Sequence, residues 1–234
     1  MHERYDVNRH PRSLFSPSAL NTYLDCRLKF YYRYVAGLKA PDEVSAEIDS
    51  ALFGTIFHRA AELVYKDLTA NGKEIRKEDL DQVLRNDIKL QNYVDIAFKE
   101  EFFHVALTEK PEYNGTQLIN AKVITSYLRQ LLRNDLQYAP FFMEGMEKKV
   151  TEIIEIETSQ GKLALNIGGT IDRIDSKDDT LRIVDYKTGG SPKTPENIKQ
   201  LFTPADGRPN YIFQTFLYAS ITVSYTHLTL PTNS

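Results

Sequence analysis

No tryptophan occurs in the 234-residue chain, and cysteine occurs once, as Cys26. A single thiol excludes an internal disulfide framework, which fits a reducing cytoplasm. Long apolar runs are also missing. Nothing approaches the roughly 20 residues that span a bilayer. Met1-His2-Glu3-Arg4-Tyr5 lacks the apolar stretch of a signal peptide, so no membrane partner is expected. An excess of positive charge is absent too: 29 Lys and Arg stand against 32 Asp and Glu, for a net charge of −3. That balance argues against a strongly basic, free-standing nucleic-acid binder. It leaves open a site whose acidic ligands lower the net charge, with a partner protein supplying grip on phosphate. No internal repeat is visible. What is there is ordinary for a soluble globular protein, 41% hydrophobic and 26% charged, and long enough for one large domain or one and a half.

Residues 1–12 are polar and read as a flexible N-terminus. Ser16 before Pro17 is an N-cap with proline at the first helical position. Leu20, Tyr23, Leu24, Leu28, Tyr31, Tyr32 and Val35 then recur at helical spacing, and Gly37 closes the helix. Pro41 to Ser50 is an acidic linker. A second helix is predicted from about Ala51 to Ala70, with Leu52, Phe53, Ile56, Ala60, Leu63 and Val64 as its buried stripe. Glu78 to Phe103 and Thr116 to Tyr138 read as two more amphipathic helices, joined by a turn over residues 110–115. Leu118, Ile119, Val123, Tyr127, Leu131 and Leu132 mark the inner face of the latter. Near Lys148 the period becomes strand-like. Val150, Ile153, Ile154 and Ile156 suggest one strand, and Leu163, Leu165 and Ile167 the next, with Gly161-Lys162 as the turn. Thr188 to Pro209 is a loop with one short helix near Glu196, and Asn210 to Thr222 is a final helix. Helices, then strands, then a helix make an α+β core.

The densest chemistry lies in Gly168-Gly169-Thr170-Ile171-Asp172-Arg173-Ile174-Asp175 and Val184-Asp185-Tyr186-Lys187-Thr188-Gly189. Turn formers over residues 175–180 separate two short β-branched runs, which makes a hairpin. A turn centred on Asp178-Asp179 pairs residues whose numbers sum to 357, so Asp172 lies opposite Asp185. Facing carboxylates are destabilising unless a cation bridges them or water solvates both. Mg²⁺ suits the first case, because it takes oxygen ligands from one or two carboxylates and keeps several waters. Asp185 and Lys187, two apart, point to the same face. Arg173 points to the other, toward Asp175 or an acidic helix residue. From spacing alone, a solvated surface hairpin is an equal alternative.

The pattern G-x-x-D followed by D-x-K-T-G resembles the PD-(D/E)xK nuclease superfamily, in its RecB/AddB-like branch. Three further stretches carry the resemblance. Phe53-Gly54-Thr55-Ile56-Phe57-His58 resembles the branch's G-x-x-x-H helix, and Gln214-Thr215-Phe216-Leu217-Tyr218 its Q-x-x-x-Y helix. Ser16 to Tyr32 resembles its opening helix. All occur in family order, over roughly residues 13–221.

The resemblance implies an α/β/α restriction-endonuclease-like core: a small mixed sheet with a catalytic β-hairpin flanked by helices. A helical insertion would occupy about residues 73–145. It implies a Mg²⁺-dependent deoxyribonuclease (Mn²⁺ substituting), acting on DNA as an exonuclease in repair and recombination alongside a helicase domain or helicase subunit. The metal ligands would be His58, Asp172, Asp185 and the Tyr186 carbonyl. Lys187 would orient water and stabilise the transition state, with Gln214 and Tyr218 around the site. Glu62, one turn after His58, could support it. The glycine at Gly54 marks a close approach inside a helix, which favours the site role for His58. Against these stand plainer readings: His58 as a boundary residue, Lys187 as a surface lysine, Tyr218 as a core aromatic. Some relatives hold a 4Fe–4S cluster, and Cys26 sits near its first cysteine. Cys₄ ligation needs four, so this chain alone cannot hold one: either Cys26 is a cluster ligand whose three partners lie beyond a lost C-terminus, or, as expected here, the cluster is absent and Cys26 is a small buried hydrophobe. Residues 222–234 break the helical pattern and lie outside the resemblance, as a truncated end or a non-native tail of adapter or vector kind. The other functional class that fits is a non-catalytic nuclease-like module binding DNA or a helicase.

Overall fold

The computed structural model describes residues 2–38, 47–109, 112–159, 161–189, 193–205 and 207–228. In chain order the elements are α1 (His2–Tyr5), α2 (Pro17–Asp25), α3 (Arg27–Phe30), α4 (Ser50–Leu68), β1 (Glu74–Ile75), α5 (Lys77–Leu84), α6 (Asp87–Phe98), α7 (Gly115–Tyr138), β2 (Phe141–Thr158), β3 (Gly161–Lys177), β4 (Thr180–Val184) and α8 (Asn210–Leu228). The strands form one sheet in the order β1-β2-β3-β4. β1 pairs antiparallel with β2, and β3 with β4; the parallel part of the expected mixed sheet is an isolated bridge, Phe15 to Ile167. Two compact units divide the chain, the boundaries falling within β2 and β3. Most of the expected linker at 41–50, residues 110 and 111 of the expected turn, and the end of the tail lie outside the described residues.

The first unit comprises the described residues of 1–42, 148–171 and 192–234. Ser16 caps α2 by accepting from the Ala19 N–H at 3.2 Å, as its sequence predicts. The single long helix expected here is broken. Cys26 leaves the helical region with φ −156° and caps a second short helix, and Tyr31–Val35 widens into a π-turn. The breaks rotate the apolar stripe: Phe30 is buried against Tyr5 and Phe15, with centroids 6.0 and 5.7 Å away. Leu28, Tyr31 and Tyr32, expected inside, are exposed. Cys26, expected buried, is exposed as well. Leu163, Leu165 and Ile167 alternate inward on β3 as predicted, whereas Ile153 and Ile156 of β2 face out. The last helix continues to Leu228, past its expected end at Thr222.

The second unit comprises the described residues of 43–147 and 172–191. Its core joins Ile56, Ala60 and Val64 of α4, Leu90, Val94 and Phe98 of α6, Ile124, Leu128 and Leu132 of α7, and Ile75 and Phe141 of the sheet. Each buried aliphatic or aromatic side chain there is worth about 1.5–3 kcal/mol. The helix expected over 78–103 is split, because the Asn86 side chain captures the Lys89 N–H at 2.9 Å and starts α6 anew. On α7 the inner face is Ala121, Ile124, Leu128 and Leu132, while Leu118, Ile119 and Tyr127 are exposed. Polar residues misled the periodicity: Gln117, Thr125 and Asp135 lie on the buried side. Each is satisfied there, Thr125 donating to the Ala121 carbonyl at 2.8 Å and Gln117 forming a capping box with Asn114.

The β3–β4 register is the predicted one, with Arg173 opposite Val184 and Lys177 opposite Thr180. Asp178 and Asp179 have φ of 49° and 60°, the pair of left-handed residues that a tight hairpin turn requires. β3 runs unbroken through Gly168-Gly169 rather than as two strands. Arg173 points away from Asp172 into the interior. Its guanidinium donates to Asp135 of α7 at 2.6 and 3.0 Å and pairs with Asp175 at 3.0 Å. Arg182 on β4 bridges the same two carboxylates, at 2.8 Å to Asp175 and 3.2 Å to Asp135. Two cations balance two anions beneath the hairpin, so burial leaves no net charge.

Candidate active site

β3 and α4 bring two of the predicted ligands together. Asp172 is buried, and its Oδ2 accepts the Tyr186 N–H at 2.7 Å. His58, half-buried on α4, donates through Nε2 to the Tyr186 carbonyl at 3.1 Å. That leaves Nδ1 facing Asp172 Oδ2 at 3.6 Å. With the proton on Nε2, Nδ1 presents a lone pair toward the Asp172 carboxylate, and either a second ring proton or a bound cation between them satisfies both. The Tyr186 backbone thus ties Asp172 and His58 into one arrangement.

A third donor comes from a residue that the sequence did not flag. Glu147 lies on β2 with φ of 47°, and a carboxylate oxygen of Glu147, one of Asp172 and a ring nitrogen of His58 all lie within 4.8 Å of one another. Glu147 stays exposed to solvent, yet partial desolvation pushes its carboxyl up from its ordinary pKa, and the nearby Asp172 adds to this. Burial likewise raises Asp172, with His58 and the Tyr186 N–H pulling back and Asp185 pushing further up. One imidazole and two crowded carboxylates, each held toward its neutral form, are a donor set suited to a divalent cation. Glu147 sits inside β2 at a left-handed residue that interrupts the strand's alternation, and no periodicity marks it; only tertiary placement does.

Asp185 and Lys187, just beyond β4, pair with each other at 2.6 Å. Asp185 therefore stands outside the compact three-residue group, and Lys187 keeps its ammonium half-exposed. The loop that follows passes close to α4: a Cβ on Gly54 would meet Thr188 Oγ1 at 3.3 Å, the close approach that a helical glycine signals. His58, Glu147, Lys187 and Thr188 line one cavity of about 580 Å³ with Arg59, Glu62 and Glu101. Glu62, expected to support His58, is instead taken by Arg59 at 2.6 Å and Lys66 at 2.7 Å.

Gln214 and Tyr218 belong to the other unit. Tyr218 is buried, and its hydroxyl donates to the Thr170 carbonyl at 2.9 Å. A Cβ on Gly169 would come within 2.7 Å of that hydroxyl, so the G-x-x-D glycine makes room for the tyrosine. Gln214 lies one turn earlier and is half-buried. Cys26 accepts the Lys29 N–H at 3.5 Å as a helix cap, and it offers one of the four thiolates that a 4Fe–4S cluster needs. Among the described residues no helix is long and apolar enough to cross a membrane.

Curated proteins resemble this chain over most of its length. Those named as the B subunit of an ATP-dependent helicase/deoxyribonuclease match it at 28% identity over 174 residues in Streptococcus agalactiae serotype V, covering 74% of this chain and 14% of the relative. The Carboxydothermus hydrogenoformans protein of that name is 25% identical over 191 residues, 76% of this chain and 16% of its own. The Streptococcus equi subsp. zooepidemicus protein is 29% identical over 185 residues, 77% of this chain and 14% of its own. The chain therefore spans about one-seventh of the length of these relatives. The family profile of the PD-(D/E)XK nuclease superfamily matches residues 14–226. With the G-x-x-D and D-x-K motifs set on one hairpin, the chain belongs to the PD-(D/E)XK nuclease superfamily.

Proposed function

We propose that this chain is a divalent-metal-dependent deoxyribonuclease, hydrolysing phosphodiester bonds at His58, Glu147, Asp172, Asp185 and Lys187. The observation that carries the reading is the convergence of the His58, Glu147 and Asp172 donor atoms, from α4, β2 and β3, within 4.8 Å, beside the hairpin end that presents Lys187. His58, Glu147 and Asp172 would hold the cation, with Asp185 and the Tyr186 carbonyl as further oxygen donors. Mg²⁺ suits the oxygen donors of that set, with waters completing its shell, and Mn²⁺ would substitute. When bound, the cation supplies positive charge at the phosphate and lowers the pKa of a water.

The chain's own contribution centres on Lys187. Of its three N–H donors, one is held by Asp185 at 2.6 Å. Among the described residues the other two have no partner, and they would meet a phosphate oxygen and the attacking water. Asp185 thus aims the ammonium at charge that builds as the water oxygen bonds to phosphorus and the bond to the leaving oxygen breaks. His58 plays a different part. Its bond to the Tyr186 carbonyl fixes the backbone that positions Asp172 and, one residue on, Lys187.

Exonuclease action on DNA ends, a helicase domain or helicase subunit as partner, and a cytoplasmic role in repair and recombination are the finer parts of the proposal. The names of the helicase/deoxyribonuclease relatives support action on DNA and a helicase partner; exonuclease mode and a cytoplasmic role in repair and recombination rest on the motif resemblance. The test is cleavage of end-labelled linear single- and double-stranded DNA in Mg²⁺, Mn²⁺ or EDTA, beside Lys187→Ala. Metal-dependent cleavage should fall about 10²–10³-fold in the variant, the usual loss of one aimed donor. Full activity in EDTA or in Lys187→Ala would overturn the mechanism. Metal binding without any cleavage would favour the non-catalytic module.

A further inference from the structure

The segment Tyr186–Gly189 borders two cavities, one rich in carboxylates and one nearly neutral. In the first, the one of the donor cluster, Glu101 and Glu147 join Glu62, which Arg59 and Lys66 neutralise. The second, of about 440 Å³, is lined by Tyr127, Gln130 and Asn134 of α7 together with Asp185, Lys187 and Thr188. Asp185 is the one carboxylate among its described lining residues, and Lys187 already pairs with it. Carboxylates crowd the first cavity until a bound cation offsets them, whereas the second carries only the Asp185–Lys187 pair among polar and aromatic groups and admits a phosphodiester strand beside the site.

The α7 wall suits a nucleotide in detail. Tyr127, Gln130 and Asn134 are spaced to share one helix face, and all three are exposed. The opposite face is locked into the core by Ile124, Leu128 and Leu132, so the exposed groups are held on a rigid support. The Tyr127 ring is braced by edge contacts with Phe53 at 6.0 Å and Phe57 at 6.4 Å, yet remains 40% exposed. An aromatic fixed in orientation and open to solvent is what base stacking requires, and stacking needs an unpaired base.

We infer that the α7 cavity is a subsite for an unpaired nucleotide of the DNA strand next to the cleaved bond, Tyr127 stacking on its base and the Gln130 and Asn134 amides hydrogen-bonding it. The inference rests on the nuclease reading above and extends it to the path of the substrate. Lys187 lines both cavities, so it joins the subsite to the donor cluster.

The test measures binding of a fluorescent single-stranded oligodeoxynucleotide in EDTA, and KM and kcat for its cleavage in Mg²⁺, for Tyr127→Ala and Tyr127→Phe. Stacking is worth roughly 5- to 150-fold in affinity per base. Tyr127→Ala should raise Kd and KM by a factor in that range with kcat little changed, and Tyr127→Phe should restore both. A duplex of the same sequence should be affected less. If Tyr127→Ala fails to fold, the double variant Gln130→Ala/Asn134→Ala at exposed positions reads out the same Kd and KM. Wild-type affinity and KM in these variants, or equal losses on duplex, would overturn the subsite while leaving cleavage in place. Tyr127-dependent binding without any cleavage would instead overturn the nuclease reading and keep the subsite. Absence of both binding and cleavage would overturn both.

Discussion

Asp135→Asn tests the buried support of the hairpin most sharply. Asp135 is nearly sealed from solvent and takes both outer nitrogens of Arg173, at 2.6 and 3.0 Å, with Arg182 at 3.2 Å and the Tyr65 hydroxyl as further donors. The group of Asp135, Asp175, Arg173 and Arg182 is neutral, so losing one carboxylate strands a net positive charge inside. Arg173 cannot escape, being 1% exposed, whereas Arg182 at 30% can turn to water. Breaking such a buried pair from one side costs about 3–5 kcal/mol, or about 6–20 °C in Tm at this chain length. Thermal and urea melts of the metal-free protein would read this directly. The double variant Asp135→Leu/Arg173→Met leaves Asp175 and Arg182 as a matched pair. It should be less destabilised than either single change, despite about 1 kcal/mol for the orphaned Tyr65 hydroxyl. A loss below about 1 kcal/mol in Asp135→Asn, or additive losses in the double variant, would refute the account of a charge-balanced cluster.

The remaining predictions concern the site and its glycines. Asp172→Asn should abolish metal-dependent cleavage without lowering Tm in EDTA at neutral pH. Burial raises the folded-state pKa of Asp172, so a neutral side chain keeps a stability that the carboxylate loses as pH rises through that value. By the same sign, Asp172 and Glu147 make the metal-free protein lose stability as pH climbs above the ordinary carboxylate range. Mg²⁺ should oppose that loss, by about 2.7 kcal/mol at a hundredfold excess over its Kd, which paired melts with and without EDTA would show. Gly168→Ala should be strongly destabilising, since φ is +149° and a Cβ would come within 2.0 Å of the Val150 carbonyl oxygen; a Tm equal to wild type would contradict the observed strand spacing. Gly169→Ala should displace the Tyr218 hydroxyl, seen as a loss of Tm that Gly169→Ala/Tyr218→Phe partly recovers.

The hairpin and its register were legible because they depend on neighbours in the chain. Turn formers at 175–180, β-branched runs on either side and two aspartates able to adopt positive φ leave little choice of pairing. The same holds for α4, whose stripe and interior glycine are local signals, and for the placement of Arg173 on the face opposite Asp172, which strand alternation dictates. Motif order added the family, which the profile match over residues 14–226 bears out. Elsewhere local pattern misled. Asn86 and Cys26 act as caps inside what read as continuous helices, because a side-chain acceptor can end a helix wherever tertiary packing rewards the bend. The buried face of α7 was misassigned because Asp135 and Thr125 look like surface residues until their partners on β3, β4 and the helix itself are known.

By itself, then, the sequence determined the α+β order of elements and the β3–β4 pairing, and it singled out Asp172, Asp185, Lys187 and His58 as candidates for the chemistry proposed above. Only the tertiary structure decided who stands beside whom. It brought Glu147 from β2 to His58 and Asp172, and set Asp185 against Lys187 instead of within that group. It also turned Glu62 away to Arg59 and Lys66. The reason is physical: periodicity reports which face of an element a residue occupies, but carboxylate crowding, ion-pair choice and cavity walls depend on distances between elements far apart in the chain.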